Sequence, residues 1–552
     1  MQLSASAHVD TFTRDNLPDP QLWPRLQFTL PQLQYPDRLN AAAVLLDDTV
    51  ERLGRDRSAL LMPDGTRWTY GDLQDRSRQI ANVLVDRFGV VPGSRVVLRS
   101  PNNPWLVACW LGVLRAGGVV VTTMPMLRAT ELAPVLDRTR PALVVADHRF
   151  AAEVSGLVDE RCALVTVGGD GEDDLVQLCA AAQAHFTDIE TAADDVALLG
   201  PTSGTTGVPK VTMHFHRDII SIAETFGREL VHLHPDDLVS CTAPLAFTFG
   251  LGALVVFPLR AGAAALLTET ATPSELAHYV SQFEVTALFT APTAYRAILA
   301  ADEAHLLASV RVAVSAGEHI SEQTWRAMRE QTGLQIIDGI GATEMLHVFI
   351  SAAGDDIRPG ATGRPVPGFE AAVLDADGNP VPDGEPGLLG VVGPTGCRYL
   401  DDDRQRSYVL AGWNITGDTF VRDADGYFHF QARSDDMIVS SGYNIGAPEV
   451  ESAIVGHPDV LEAAVVAKPD LARGTIVCAF VVLREGVAAD AAKAAELQDY
   501  VKSVIAPYKY PREIRFVEGL PRNPSGKVQH FLLRKRIRAE IEAAAAADRT
   551  QP

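Results

Sequence analysis

Cysteine is scarce in this chain, with six in 552 residues. Cys109, Cys162, Cys179, Cys241, Cys397 and Cys478 lie far apart and form no CxxC pair, which excludes a zinc ribbon and a dithiol redox motif. Scattered thiols in a long chain read as buried small hydrophobes in a reducing compartment, so a cytoplasmic location is expected. The opening MQLSASAHVD has no basic stretch and no apolar stretch, so no secretory signal is expected. Positive charge is also short: 48 Lys+Arg against 70 Asp+Glu leave a net charge of -22. An acidic surface repels phosphate backbones, which excludes nucleic acid as the main partner. Any anion the protein binds must then be held by local cations or backbone N–H groups.

Long hydrophobic runs are lacking, with one exception at residues 238–259, which carry no charge. That run is long enough to cross about 30 Å of hydrocarbon. It contains Pro244, Pro258, Gly250 and Gly252 beside Ser240, Thr242 and Thr248, which suit a strand, a loop and a buried helix, so no membrane span is expected. Internal repeats are absent. What is present is ordinary globular material, 47% hydrophobic and 21% charged. The chain exceeds the size at which single cores stop growing, about 250–300 residues.

Short apolar β-branched runs at 96–98, 118–121 and 142–146 read as buried strands, with a helix expected at 130–137 between two of them. The pattern recurs as a helix at 274–283 and strands at 285–289 and 311–315. Such alternation predicts βαβ units on parallel sheets. From about residue 365, Gly, Pro and Asp punctuate short alternating runs, which predicts a small β-rich unit. After Arg433 the texture turns α+β, with helices at 448–455 and 491–505 and strands at 461–467 and 477–483. The last residues, 543–552, read as a fraying helix end.

The strongest chemical feature is Thr202-Ser203-Gly204-Thr205-Thr206-Gly207-Val208-Pro209-Lys210. Two glycines allow a tight turn and a close approach to a ligand, four hydroxyls can donate to phosphate oxygens, and Lys210 adds charge. Pro209 stands where the GxxxxGK[ST] loop needs glycine, so this is a different phosphate cradle. His214 and His216, expected on one face of the following strand, have no third ligand nearby, so a packing or channel role is expected rather than a metal site.

The cradle resembles the phosphate loop of the adenylate-forming superfamily of acyl-CoA ligases, adenylation domains and luciferases. Four further segments resemble family motifs in the family's order: Gly341-Ala342-Thr343-Glu344, Thr416-Gly417-Asp418, the hinge region from Arg433 through Asp435 to Gly442, and Pro521-Arg522-Asn523-Pro524-Ser525-Gly526-Lys527. The resemblance spans residues 40–535. It departs at Ala432, where a glycine is common.

This resemblance implies an α/β fold: a large N-terminal domain of βαβ-type sheets with a small β-rich subdomain, and a small mobile α+β C-terminal domain. Residues 1–434 would bind ATP and the acid, and 435–552 would rotate about Asp435. A carboxylate would join the α-phosphate of ATP with release of pyrophosphate, and the thiol of CoA would then displace AMP. Lys527, Lys210 and Thr343 would be catalytic, with Lys527 bridging carboxylate and phosphate oxygens. Glu344 would hold Mg2+. Asp418 would accept the ribose hydroxyls, and Arg433 would donate to the ribose or phosphate. Adenine would lie along Ala316-Gly317-Glu318 and Asp338-Gly339-Ile340, and the Gly442 loop would border the pantetheine channel.

The 338–347 segment, DGIGATEMLH, looks like that of benzoate-CoA ligases, and residues 8–18 are similar to the start of 2-aminobenzoate-CoA ligases. The acid pocket would comprise Phe247, Thr248, Phe249, Ala316, Gly317, Ile340, Gly341 and His347. Phe247 and Phe249 would meet a flat ring, and Thr248 or His347 an ortho amino or hydroxyl group. The expected acids are 2-aminobenzoate, then salicylate, then benzoate. Loading of an aryl acid onto a separate carrier protein is the alternative. Monomer and homodimer both stay open.

Overall fold

The computed structural model describes residues 3–202, 209–317, 320–433, 437–440, 443–470, 474–505, 507–523 and 526–548. The chain divides into two compact units. One comprises residues 1–372, 390–416 and 426–428, and the other 373–389, 417–425 and 429–552.

In the first unit, β-branched runs apolar on both faces form parallel strands buried on both sides. A six-stranded sheet has the order Ala163–Val167, Leu143–Asp147, Arg95–Arg99, Val119–Thr123, Val196–Thr202 and Lys210–Phe215. Its first five strands are parallel and the last is antiparallel. The strand expectations at 96–98, 118–121 and 142–146 fall on three of these, and the helix expected at 130–137 runs Ala129–Thr139.

A nine-stranded sheet has a parallel centre: Ile336–Gly341, Val312–Ser315, Ala287–Thr290, Leu238–Cys241, Ala264–Leu266 and Ser58–Leu61. Between the sheets lie the helices Tyr70–Asp86 and Pro104–Arg115. Leu73, Ile80, Leu84, Leu111 and Leu114 of these helices are fully buried in the main core. A reciprocal capping box starts the first helix, Thr69 and Asp72 each accepting the other's main-chain N–H at 2.9–3.0 Å. Asn103 caps the second.

The charge-free run at 238–259 contributes one strand, Leu238–Cys241, and the helical turns Thr248–Leu251, Gly252–Val256 and Phe257–Ala261. No helix among the described residues is long and apolar enough to cross a membrane. His214 and His216 do not share a strand face. His214 lies on the strand Lys210–Phe215, whereas His216 opens the next helix and its Nδ1 accepts from the Ala41 N–H at 3.1 Å. The capping position Phe215, where Asp218 accepts the main-chain N–H, is what ends the strand one residue early. Burial lowers the pKa of His214 to about 4 and of His216 to about 3. All six cysteines are free thiols, five buried and Cys162 half-buried.

Turn-punctuated short strands at Glu370–Leu374, Pro386–Val392, Trp413–Arg422 and Phe428–Arg433 make the β-rich subdomain. In the second unit the strands Val460–Asp470 and Gly474–Leu483 pair antiparallel, and Glu513–Phe516 joins the latter in parallel. The helices Ala447–Val455 and Ala491–Val504 cover this sheet through Val450, Ile454, Leu497 and Val501.

Candidate active site

Ligands of open α/β sheets bind beyond the carboxyl ends of parallel strands. Most of the described residues singled out from the sequence fall at such ends within the first unit. Thr202 ends Val196–Thr202, Ala316 and Gly317 follow Val312–Ser315, and Thr343 and Glu344 follow Ile336–Gly341. Phe247 to Phe249 lie just beyond Leu238–Cys241. Register pairs Thr202 with Lys210 and Ser315 with Asp338, which brings the two expected adenine segments side by side. Gly317 has φ +94°, a turn that a side chain at that position would resist.

The strand end at Gly200 meets the turn at Thr343 directly. A Cβ at Gly200 would lie 2.9 Å from Thr343 Cγ2 and 2.7 Å from Thr212 Oγ1. Glycine is what lets the Thr343 turn close on the sheet edge. Thr343 also lines a narrow pocket with Thr122, Gly200, Phe247, Thr248 and Leu251. Among the described residues nothing hydrogen-bonds the Thr248 hydroxyl, whereas Thr122 Oγ1 donates to the Ala246 carbonyl at 3.3 Å.

His347 and Phe249 do not line this pocket. His347 is 3% exposed and enclosed by Phe226, Phe249 and Phe257, with ring centroids 5.3, 5.9 and 4.7 Å away. Burial lowers its pKa to about 3, so the imidazole is neutral. Leu346, buried and at φ +68°, turns the chain from Glu344 into His347. A branched residue held in that region is a strained position of the kind that gathers at functional sites.

Lys210 Nζ donates to Tyr399 Oη at 3.3 Å, and Tyr399 Oη donates to Glu344 Oε1 at 2.6 Å. Burial and the Glu344 carboxylate push the Tyr399 phenol far up, so it keeps its proton. No lysine or arginine among the described residues lies within salt-bridge distance of Glu344, which keeps this half-buried carboxylate open to a cation. A hard oxygen donor of this kind fits Mg2+, which takes one or two protein carboxylates and completes its shell with water and phosphate. Asp338 borders a second pocket, with Ile320, Trp325 and Arg358, and burial raises its pKa to about 8. Ile340 pairs with Ile350, and the close approach of the His347 carbonyl leaves no room for a side chain at Gly341.

In the second unit Asp418 is buried on Trp413–Arg422, and Arg433 ends Phe428–Arg433. Lys527 is exposed on a loop fixed by Asn523, whose side chain accepts the Lys527 N–H and whose own N–H donates to the Lys527 carbonyl, both at 2.9 Å. Ser203, Gly204, Thr205, Thr206, Gly207, Glu318, Asp435 and Gly442 lie outside the described residues. Sequence reasoning missed Tyr399 and Leu346. Tyr399 is found only through tertiary pairing, and Leu346 only through its φ.

The AMP-binding enzyme family model matches residues 46–398, and the AMP-binding enzyme C-terminal domain matches residues 449–527. A benzoate–CoA ligase of Thauera aromatica is 34% identical over 518 residues, covering 92% of this chain and 98% of the relative. A mitochondrial acyl-coenzyme A synthetase of Mus musculus is 32% identical over 535 residues, covering 92% of each chain. The crystal structure of an anthranilate CoA ligase in complex with anthranoyl-AMP has a TM-score of 0.86 at 31% identity, covering 93% of this chain and 100% of that one.

Proposed function

This chain belongs to the AMP-binding enzyme family and is an AMP-forming acid–CoA ligase using ATP and CoA; we propose that its acid is an aromatic carboxylate, 2-aminobenzoate first, salicylate next and benzoate third. The observation that carries this reading is the place of Thr343. It is next to Glu344 on the phosphate side and lines the pocket of Phe247 and Thr248 on the acid side. An acid seated there presents its carboxylate toward the phosphate-binding turn. The uncommitted Thr248 hydroxyl suits an ortho amino or hydroxyl group. The likeness to an anthranilate CoA ligase supports the ranking.

In this reading the carboxylate oxygen bonds to the α-phosphorus of ATP, the bond to the pyrophosphate oxygen breaks, and pyrophosphate leaves. Two anions must approach, so cations between them lower the barrier. Lys210 and the hydroxyls of residues 202–206 hold phosphate oxygens, Thr343 orients the phosphate, and Lys527 bridges carboxylate and α-phosphate. Glu344 would hold Mg2+, which neutralises phosphate charge when bound. Asp418 and Arg433 take the ribose side, and Asp338 with Ala316 to Glu318 and Ile340 the adenine. Gly317, Gly339 and Gly341 keep the backbone close to the bound acyl-adenylate, and Phe249 and His347 back the acid pocket. The CoA sulfur then attacks the acyl carbon and AMP leaves. Residues 1–434 are assigned to nucleotide and acid binding, and 435–552 to a domain turning about Asp435, with Gly442 beside the pantetheine arm. The free state of the six thiols supports a cytoplasmic setting.

The test is product identification with ATP, Mg2+ and 2-aminobenzoate, with and without CoA. Expected are pyrophosphate and an acyl-adenylate without CoA, and the aryl-CoA thioester with AMP once CoA is added. ADP and phosphate, or an adenylate that CoA does not consume, would contradict the reading.

A further inference from the structure

We propose that Tyr399 is the positioning residue of Glu344, fixing through one phenol the carboxylate that meets the metal-bound phosphates. The proposal rests on the reading above in one respect, that Glu344 is the metal's carboxylate.

The geometry is directional. Lys210 has only N–H donors, so its bond to Tyr399 Oη occupies an oxygen lone pair, and the phenolic proton is left for Glu344 Oε1 at 2.6 Å. A hydrogen bond to a charged acceptor at that length belongs to the stronger class. Lys210 also lies 5.1 Å over the phenol ring. The cation on the phosphate side thus sets the direction in which the tyrosine points its proton.

The tyrosine itself is held on every side. Residues 398–400 add to the edge of the strand Lys210–Phe215, the same strand that begins with Lys210. The Met213 N–H donates to the Arg398 carbonyl at 2.7 Å, and the Leu400 N–H to the Val211 carbonyl at 2.9 Å. Thr212 is the bridge partner of Tyr399. The Tyr399 N–H is taken by Gln405 Oε1 at 2.9 Å, and the ring meets Tyr408 edge-on at 5.6 Å. Neighbouring Arg398 points to the other side and pairs with buried Asp218 at 2.9 Å, which locks the segment against rotation. A rigid strand, a ring with no exposure and a hydroxyl aimed at one carboxylate oxygen are the parts a supported ligand needs. Glu344 itself sits on a one-turn 3-10 segment, Thr343–Met345, too short to hold a side chain by its own packing.

The test titrates ATP into the full-length enzyme by calorimetry, without acid or CoA, across a magnesium series and with EDTA. Wild type, Tyr399→Phe, Glu344→Gln and the double variant are compared below the Tm of each, so that only folded protein is read. Tyr399→Phe should raise the Mg2+ concentration for half-maximal binding by about tenfold, the scale of one hydrogen bond to a charged group. Binding in EDTA should stay at the wild-type value, which a general loosening of the site would not allow. The double variant should be no worse than Glu344→Gln alone. If Glu344→Gln loses the magnesium response while Tyr399→Phe keeps the wild-type response, the positioning role is overturned and the metal reading stands. A wild-type response in Glu344→Gln overturns both. Additive effects in the double variant overturn the coupling of Tyr399 to Glu344.

Discussion

His347 lies 5.9 Å from Phe249 with ring planes 29° apart, and neither of its nitrogens makes a well-formed hydrogen bond among the described residues. An imidazole so enclosed is a flat, neutral wall rather than a base. Its pKa of about 3 against an ordinary 6.5 means the unfolded chain takes the proton first as pH falls. Stability is therefore full above the ordinary value and lost as pH drops from 6.5 toward 3, by about 1.4 kcal/mol per pH unit. His347→Gln should flatten the decline of Tm between neutral pH and pH ~5. An unchanged slope would mean the ring is not buried uncharged.

Gly252 faces the same ring. A Cβ there would stand 2.5 Å from His347 Cδ2 and Nε2 and 3.0 Å from Phe257 Cζ. Gly252→Ala must displace rings already in contact, at a cost of about 1–3 kcal/mol. Thermal unfolding should show the loss, together with a higher KM for the acid and an unchanged KM for ATP. Equal changes in both KM values would mean the ring cluster does not back the acid pocket alone.

Asp338 is the opposite case. Burial raises its carboxyl from 3.8 to about 8. The folded chain therefore holds a proton that the unfolded chain releases, and stability falls as pH rises from 3.8 toward 8. Asp338→Asn fixes the uncharged form. It should remove that component of the Tm–pH slope and leave ATP binding at pH ~7 close to wild type. A large loss of ATP affinity at neutral pH would show that the ionised carboxylate is the binding form.

Lys527 tests the division of labour between half-reactions. Lys527→Ala should slow acyl-adenylate formation by about 100–1,000-fold, the scale for removing one preorganised charge. Thioester formation from supplied acyl-adenylate and CoA should stay near wild type. Equal loss in both steps would remove the assigned role.

The parallel strands were legible because buried strands must be apolar on both faces, as at Arg95–Arg99, Val119–Thr123 and Leu143–Asp147. The charge-free run at 238–259 was legible as a broken element through Pro244 and Gly250, whose Cβ would strike the Pro244 carbonyl at 2.3 Å. Boundaries shifted where capping is tertiary or backbone-driven. The helix Ala129–Thr139 opens before Thr130, because Glu131 reaches back to the Arg128 N–H at 3.0 Å. Thr343 and Glu344 were legible as part of a motif, and Thr248 as a hydroxyl within an apolar, charge-free run. Tyr399 was not, since its meaning comes from edge pairing with a strand 189 residues earlier and no local pattern encodes that. The aromatic cage of His347 was half-legible: Phe249 was visible beside Thr248, but Phe226 and Phe257 arrive from other helical turns.

The most direct measurement is kcat/KM for ATP- and CoA-dependent thioester formation on 2-aminobenzoate, salicylate and benzoate side by side, for wild type and Thr248→Ala. A pocket that hydrogen-bonds an ortho group rejects the acid lacking it more strongly than an apolar wall can. Wild type should favour 2-aminobenzoate over benzoate by about tenfold or more, with salicylate between, and Thr248→Ala should narrow that gap. Equal rates on all three acids, or equal losses in the variant, would contradict an ortho reader at Thr248. Turnover of aliphatic acids with none of aromatic ones would contradict the aryl assignment itself.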